Sequence, residues 1–183
     1  MRVIGGRLKG RNIASPSSND IRPTQDRMRE SLFNILMHGY ENPVDGARVL
    51  DLFAGTGALG IEAVSRGAAF TLFVDNGAEA RALLRNNVEA FGLGGVTKVY
   101  RRDATNLGSA YPVEPFSLVF LDPPYKRGLA DKALASLRDG NWLTPDALVV
   151  VEESKGAFVA PEGFEELDRR AYDETEFVFL RPV

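Results

Sequence analysis

One short stretch decides the fold class: residues 49–60 read VLDLFAGTGALG, an apolar run followed by a glycine turn and the start of a helix. Gly55 and Gly57 allow the backbone to turn sharply and to approach a ligand closely, because no Cβ stands in the way. Open α/β sheets bind ligands at the carboxyl ends of their strands, which is where this turn lies. The stretch therefore predicts a strand–loop–helix unit that holds a ligand.

Beyond this unit the chain alternates strands and helices. We predict strands at 48–53, 70–75, 97–101, 116–121 and 147–152, and helices at 59–66, 78–91 and 129–137, with an earlier helix from near Thr24 to Gly39. Such alternation implies a parallel sheet covered on both faces. Two last strands, 166–172 and 175–180, are joined by two residues only, so they predict an antiparallel hairpin.

These elements predict an α/β fold with a mostly parallel seven-stranded sheet and an antiparallel C-terminal edge strand. This Rossmann-like arrangement resembles the class I methyltransferase fold. Residues 2–4 and 8–13 flank the turn dipeptide Gly5-Gly6 and predict a small N-terminal β-hairpin extension. We therefore divide the chain into an extension at residues 1–21 and an α/β domain at residues 22–183.

The composition excludes several classes of protein. The 183 residues are 44% hydrophobic, which fits one globular domain with a substantial core. No apolar run approaches the roughly 20 residues of a membrane helix, and the N-terminus lacks the apolar stretch of a signal peptide. The chain has no cysteine, so it forms neither disulfides nor a thiolate metal site. We expect a cytoplasmic protein without a metal.

Charge is distributed unevenly along the chain. The net charge is −3, but seven basic and three acidic side chains give residues 1–30 a charge of +4, which leaves −7 for the rest. The basic residues of this segment are Arg2, Arg7, Lys9, Arg11, Arg22, Arg27 and Arg29. A basic extension on an acidic body can contact nucleic-acid phosphates, although a solvated tail has the same composition.

The residue before the glycine turn indicates which ligand it holds. Residues 55–60 formally fit the G-x-G-x-x-G dinucleotide pattern, which places a pyrophosphate at the helix N-terminus. Asp51 would repel a pyrophosphate, whereas its carboxylate suits the cationic amino group of a methionine moiety. The pattern Asp51-x-Phe53-Ala-Gly-Thr-Gly57 also resembles the S-adenosylmethionine motif of methyltransferases. We therefore predict S-adenosylmethionine as the cofactor.

Two further acids end predicted strands. Asp75 lies about 20 residues after the turn, as expected for a carboxylate that accepts from ribose hydroxyls. Asp103 follows the third strand and is expected to accept from an adenine amino group; for each acid, a helix cap or a turn is the alternative. The predicted cofactor-binding residues are Asp51, Phe53, Ala54, Gly55, Gly57, Asp75, Asn76, Asp103, Ala104 and Thr24.

The tetrapeptide Asp122-Pro123-Pro124-Tyr125 follows the fourth strand and is the predicted catalytic site. An exocyclic base amine is a poor nucleophile, because its lone pair is delocalised, and two acceptors on its N–H groups can orient it for attack. We assign these acceptors to the Asp122 carboxylate and the Pro123 carbonyl, which the two prolines hold rigidly. Asp122 also offsets the charge that develops on the nitrogen. Tyr125 can stack on a base flipped out of its own stack.

The motifs resemble one family over nearly the whole chain: the bacterial small-subunit ribosomal RNA guanine-N2 methyltransferases of the RsmD type. The segments that carry the resemblance are residues 2–6, 9–11, 22–24, 26–27 and 29–34, the glycine loop, residues 122–129, Trp142-Leu143 and the acidic end of the strand near Glu152. The resemblance implies methylation of one guanine at N2 in 16S rRNA, within the small ribosomal subunit or its assembly intermediate. Asp75 stands where the family often has Glu, and Gly77 where it often has another acid.

Basic residues near these motifs are the predicted RNA contacts. They are Arg2, Arg7, Lys9, Arg11, Arg22, Lys126 and Arg127, the last two beside the tetrapeptide. No hydrophobic stripe argues for a dimer, so we expect a monomer.

Three other functions remain compatible with the residues. An adenine-N6 nucleic-acid methyltransferase uses the same tetrapeptide chemistry, although the chain has no room for the recognition domain usual in DNA enzymes. A glutamine-directed protein methyltransferase is a weaker alternative. A non-catalytic, cofactor-binding ribosome assembly factor is the third, and the intact tetrapeptide argues against it.

Overall fold

The computed structural model describes residues 1–16 and 23–183, with side chains for 1–16 and 25–183. Four helices and seven strands make up the fold of these residues. The helices are α1 (Pro23–Gly39), α2 (Ala58–Ser65), α3 (Ala78–Ala90) and α4 (Leu129–Asp139). The strands are β1 (Arg48–Leu52), β2 (Phe70–Val74), β3 (Thr97–Tyr100), β4 (Phe116–Leu121), β5 (Leu143–Ser154), β6 (Phe164–Tyr172) and β7 (Thr175–Pro182).

The strands form one sheet in the order β3-β2-β1-β4-β5-β7-β6. Strands β1 to β5 are parallel, and β7 pairs antiparallel with both β5 and β6. The predicted mostly parallel sheet and its C-terminal hairpin are thus confirmed. The antiparallel strand β7 lies between β5 and β6, so β6 occupies the edge itself.

The sheet is covered on both faces, as its buried strands require. Alternate residues of β1 enter different cores, because successive side chains of a strand point to opposite faces. Leu50 packs in a cluster with Leu134 of α4, whereas Val49 packs in a cluster with Leu32 and Leu36 of α1. Helices on both sides therefore leave the ends of the strands as the place where a ligand can approach the sheet.

The N-terminal extension is a hairpin that packs on α2 and α3. An antiparallel bridge joins Arg2 to Asn12, and its apolar side chains Val3, Leu8 and Ile13 are buried in a core shared with both helices. Gly6 has a φ of 77°, and a Cβ there would lie 1.9 Å from the Ser65 carbonyl oxygen. The predicted turn dipeptide thus also permits close docking against the end of α2. In the parts of the chain that the structure describes, no helix is long and apolar enough to cross a membrane.

Candidate active site

The loops after β1 and β4 meet at the carboxyl edge of the sheet. These strands are parallel neighbours, with Leu52 beside Leu121, so the residues that follow them come together. A cavity of about 600 Å³ opens at this point. It is lined by Met1, Gln25, Met28, Arg29, Asp51, Phe53, Ala54, Gly55, Thr56, Ala58, Leu59, Asp122, Tyr125, Glu152, Tyr172, Asp173, Glu174, Thr175 and Phe177.

Asp51 is the buried carboxylate of the glycine loop. Only 1% of its surface is exposed, and its Oδ2 accepts a hydrogen bond of 3.0 Å from the Gly60 amide. Burial raises its pKa to about 8, the nearby Asp75 charge adds to the rise, and the Gly60 bond opposes it. Among the described residues Asp51 forms no salt bridge. A cationic ligand group would therefore favour its ionised form.

Asp75 and a close packing contact hold the glycine loop in shape. The Asp75 carboxylate accepts from the amides of Gly55 at 2.9 Å and Gly77 at 2.8 Å. Gly57 has a φ of 82°, and a Cβ there would lie 2.2 Å from Leu84 Cδ1. Gly57 is thus required for packing against α3, in addition to the turn that we predicted.

The tetrapeptide loop is held at its far end by Glu153 of β5. Asp122 is half-buried and faces the cavity, while Pro123 is buried and Pro124 is exposed. The buried Glu153 carboxylate accepts from the backbone amide of Lys126 at 3.0 Å. Lys126 itself has a φ of 61°, a conformation that is unusual for a residue with a side chain. A strained loop fixed by a buried carboxylate is consistent with a site that positions its groups in advance.

Glu152 brings a second carboxyl group beside Asp122. The Glu152 carboxyl lies beside that of Asp122, and the Tyr125 hydroxyl donates to Glu152 Oε2 and lies 3.5 Å from Thr175 Oγ1. Burial, followed by the negative charge of Glu152, raises the pKa of Asp122 well above its ordinary value. Burial and Glu152 likewise raise the pKa of Tyr125. A negative charge on Asp122 is therefore unfavourable in the free site, and an N–H group of a ligand that donates to Asp122 would favour its ionised form.

Several predicted cofactor residues lie outside the lining of this cavity. Asp103 is exposed and accepts from the Thr105 hydroxyl and amide, bonds that lower its pKa. Asn76 is exposed, and Ala104 is buried with its carbonyl accepting from the Ser136 hydroxyl at 2.8 Å. The cavity also omits Gly57, Asp75, Pro123 and Pro124 from its lining. The Thr24 side chain and the whole of Arg22 fall outside the described residues.

The predicted RNA-binding residues form two exposed groups. On the extension, Arg2, Arg7, Lys9 and Arg11 are exposed, and Lys126 and Arg127 are exposed directly after Tyr125. Arg11 also has a structural role, because its guanidinium lies 5.0 Å from the centre of the Phe91 ring and donates to the Ala90 carbonyl at 3.1 Å. The other five form no salt bridge with the described residues, which leaves their charge available to a partner.

Sequence reasoning missed three residues that hold the site together. Glu152 and Glu153 end a buried strand, as Asp51 and Asp75 do, and that shared position was the signal that could have identified them. Asn87 of α3 is different: it binds the backbone of Ala14 through both side-chain groups and donates to the Thr56 carbonyl at 3.0 Å. It therefore links the extension to the glycine loop, a contact with no signature in the sequence.

The acidic side chains of the described residues do not cluster as the ligands of a metal ion do. Within residues 1–16 and 23–183, no group of three or more His, Asp or Glu side chains is placed to hold an ion.

Known proteins resemble this chain in sequence and in structure. A family model described as Conserved hypothetical protein 95 matches residues 1–181. Ribosomal RNA small subunit methyltransferase D of Escherichia coli is 38% identical over 152 residues, which cover 83% of this chain and 74% of the relative. The protein of the same name in Haemophilus influenzae is 34% identical over 167 residues, covering 90% and 84%.

The solved structures extend the likeness to the whole fold. The yhhF protein of Escherichia coli superposes with a TM-score of 0.82 at 31% identity, over 100% of this chain and 97% of its own. The predicted class I methyltransferase fold is thereby confirmed.

Proposed function

We propose that this chain, which belongs to the RsmD-type family described as Conserved hypothetical protein 95, transfers a methyl group from S-adenosylmethionine to the exocyclic N2 of a guanine in 16S rRNA. The observation that carries this proposal is that Asp51 and Asp122, the two acids predicted to hold cofactor and amine, line one open cavity. The likeness to ribosomal RNA small subunit methyltransferases supports the class of substrate.

The chain's own residues fit S-adenosylmethionine. The cofactor supplies an electrophilic methyl group on a cationic sulfonium. Asp51 offers a buried carboxylate with no cation of its own among the described residues, which suits the methionine amino group. Gly55 borders the cavity, and a Cβ built on it meets no atom within 4 Å, so its backbone is open to the ligand. Asp75 keeps free lone pairs on both oxygens after accepting from Gly55 and Gly77, and we assign it to the ribose.

The tetrapeptide supplies the acceptors for the guanine amine. We assign the two N–H groups of N2 to the Asp122 carboxylate and the Pro123 carbonyl, which turns the nitrogen lone pair toward the methyl group. As the N–C bond forms and the bond from the methyl carbon to sulfur breaks, the nitrogen gains positive charge, and we assign to Asp122 the acceptance of the proton that leaves it. The raised pKa of Asp122 suits this role, because a stronger base takes the proton more readily.

Tyr125 offers a stacking surface for the base. The residue is 38% exposed at the cavity, while Glu152 and Thr175 hold its hydroxyl. Stacking of a base on an aromatic side chain contributes about 1–3 kcal/mol, which offsets part of the cost of flipping the guanine out of the RNA.

The two basic groups define how the RNA approaches. We assign Lys126 and Arg127, both exposed, to the phosphates that flank a flipped base, and the extension at residues 1–21 to RNA further away. The remaining residues, 22–183, would form the catalytic domain. We expect a monomer that acts in the cytoplasm on the small subunit or its assembly intermediate.

One experiment tests this function directly. Labelled S-adenosylmethionine is supplied with the enzyme to small subunits that lack their base modifications, and the digested RNA is analysed by nucleoside. N2-methylguanosine is the expected product. N6-methyladenosine would keep the chemistry but replace the substrate, and no incorporation by an enzyme that binds the cofactor would leave a binding role.

A further inference from the structure

Glu152 is the acid beside Asp122 that takes no direct part in the proposed methyl transfer. It lies two residues before the end of β5 and next to Asp122, which directly follows β4, because Val151 pairs with Leu121. Its carboxyl group lies beside that of Asp122 and accepts from the Tyr125 hydroxyl. Glu152 therefore touches both the residue assigned to the amine and the residue assigned to the face of the base.

The two candidate bases present different groups beside their amines. In guanine the N2 amine is bonded to C2, and the ring atom beside that carbon on the Watson–Crick edge is N1, which carries a hydrogen and donates. In adenine the N6 amine is bonded to C6, and the ring atom beside that carbon on the same edge is again N1, but it carries a lone pair and accepts. An ionised carboxylate is an acceptor only, so it attracts the first arrangement and repels the second. A flipped base is read through this same edge.

We infer that Glu152 selects guanine by accepting a hydrogen bond from its N1–H while Asp122 holds the neighbouring amine. The assignment rests on the proposed function, since it names the group that distinguishes the substrate of that site. The Tyr125 hydroxyl occupies Oε2 and fixes the direction of the side chain, and entry of the base replaces the contact with Asp122. Among the described residues no lysine or arginine forms a salt bridge with Glu152, so the oxygen that does not accept from Tyr125 stays available to the base.

The test replaces one nucleotide and one side chain. Small subunits are reconstituted with 16S rRNA that carries either guanine or 2-aminopurine at the methylated position. 2-Aminopurine keeps the N2 amine but has an acceptor at N1. The variant Glu152→Gln keeps an acceptor for the Tyr125 hydroxyl and gains an N–H group that can donate to that acceptor.

A crossed pattern of rates is expected. Wild-type enzyme should methylate 2-aminopurine about ten- to a hundredfold more slowly than guanine, the usual effect of losing a hydrogen bond to a charged group. Glu152→Gln should slow guanine methylation and raise the rate on 2-aminopurine. The ratio of the guanine rate to the 2-aminopurine rate should therefore fall toward one or below it. Glu174→Gln is the matched control, because it removes the same charge from another part of the cavity lining and should leave the ratio unchanged.

The outcomes separate this assignment from the function on which it rests. Equal wild-type rates on the two bases, or a wild-type ratio in Glu152→Gln, would overturn the role of Glu152 alone. A wild-type enzyme that forms no N2-methylguanosine on unsubstituted subunits would overturn the proposed function. Thermal unfolding and cofactor binding show whether the variant is folded. If it is folded but inactive on both bases, the ratio of the wild-type rates on guanine and 2-aminopurine decides whether the N1–H group is recognised.

Discussion

The carboxylate of Glu62 and the carboxylates of the cavity have opposite surroundings: the first has cationic partners, and the others have none among the described residues. Glu62 of α2 is fully buried and accepts from the amides of Ile4 and Gly5, at 2.9 Å each, and from the guanidinium groups of Arg29 and Arg66. At the cavity, Asp51, Asp122 and Glu152 have no cationic partner among the described residues, and burial raises the pKa of the first two.

The difference separates an acid that stabilises the fold from acids that the proposed function assigns to ligands. A buried carboxylate with cations and amides around it joins elements of the structure, and here it joins the extension to α1 and α2. Carboxylates that are withdrawn from water and left without cations raise the free energy of the unliganded protein. Such a local cost is expected at functional sites, where a ligand later supplies the missing partner.

The largest expected effect is the loss of catalysis on removing one cavity acid. Asp122→Ala should lower kcat about a thousandfold, because the amine loses an oriented acceptor and the developing charge loses its partner. Cofactor affinity should stay within severalfold of wild type, since Asp122 is assigned to the base. Single-turnover transfer and calorimetric binding measure the two quantities.

The control for this variant is Asp146→Ala, an exposed aspartate near the start of β5, at the other end of the strand from the cavity. It should keep wild-type turnover. Retained turnover in Asp122→Ala would remove the residue from the catalytic site and leave Glu152 as the remaining acid beside the amine.

Removing the cation-paired acid should instead cost stability. Glu62→Ala removes the acceptor of two backbone amides and of Arg66, and one of the partners of Arg29, so we expect the free energy of unfolding to fall by about 3–5 kcal/mol. Urea unfolding measures this loss. Glu89→Ala, an exposed glutamate on α3, should change stability by no more than about 0.5 kcal/mol. Equal losses in the two variants would show that Glu62 does not hold the extension in place.

Removing the carboxylate of Asp51 should instead raise the free energy of unfolding. In the unfolded chain this carboxyl loses its proton near pH 3.8, whereas in the folded protein it keeps the proton to about pH 8. Between these values the folded state binds more protons than the unfolded state, so the free energy of unfolding falls as the pH rises. Asp122, whose pKa is also raised, adds to the same trend.

Asp51→Asn should therefore stabilise the cofactor-free protein at pH 8 by about 1–3 kcal/mol, because the buried negative charge is gone while an acceptor for the Gly60 amide remains. The free energy of unfolding of this variant should also fall less steeply with rising pH than that of the wild type. Cofactor binding should weaken at least tenfold, as expected when a charge-assisted bond is removed. Denaturation at pH 5 and pH 8, with and without cofactor, checks each point. A variant less stable than wild type at both pH values would contradict the sign.

The sequence predicted the elements of the sheet and the acids that follow its strands, because both depend on local patterns. Periodicity placed β1 and β4, and the positions of Asp51 and Asp122 at their ends followed from the rule that parallel strands end at one edge. The sequence did not predict contacts between distant segments, such as those of Glu62 with the extension or of Asn87 with Ala14 and Thr56. A lone acid or amide on a helix gives no sign of its partners until the chain has folded.

The smallest expected effect concerns the charges of the extension. Deleting the extension would also remove Val3, Leu8 and Ile13 from a shared core, so RNA binding is better tested by changing charge alone. The double variant Arg7→Gln/Lys9→Gln should weaken binding to small subunits about three- to tenfold. It should also lower the slope of log affinity against log salt by about one for each phosphate that the protein no longer neutralises. Cofactor binding should not change.

A matched pair of charges elsewhere separates local contact from net charge. Lys98→Gln/Arg181→Gln removes one lysine and one arginine that are exposed on β3 and β7. If the extension contacts RNA directly, this control should keep the wild-type salt slope. Equal losses of affinity in both double variants would mean that only the overall charge of the protein matters. The exposed cations of the extension would then be no more than solvated side chains, and the cation-paired Glu62 would serve to hold a structural element rather than an RNA-binding one.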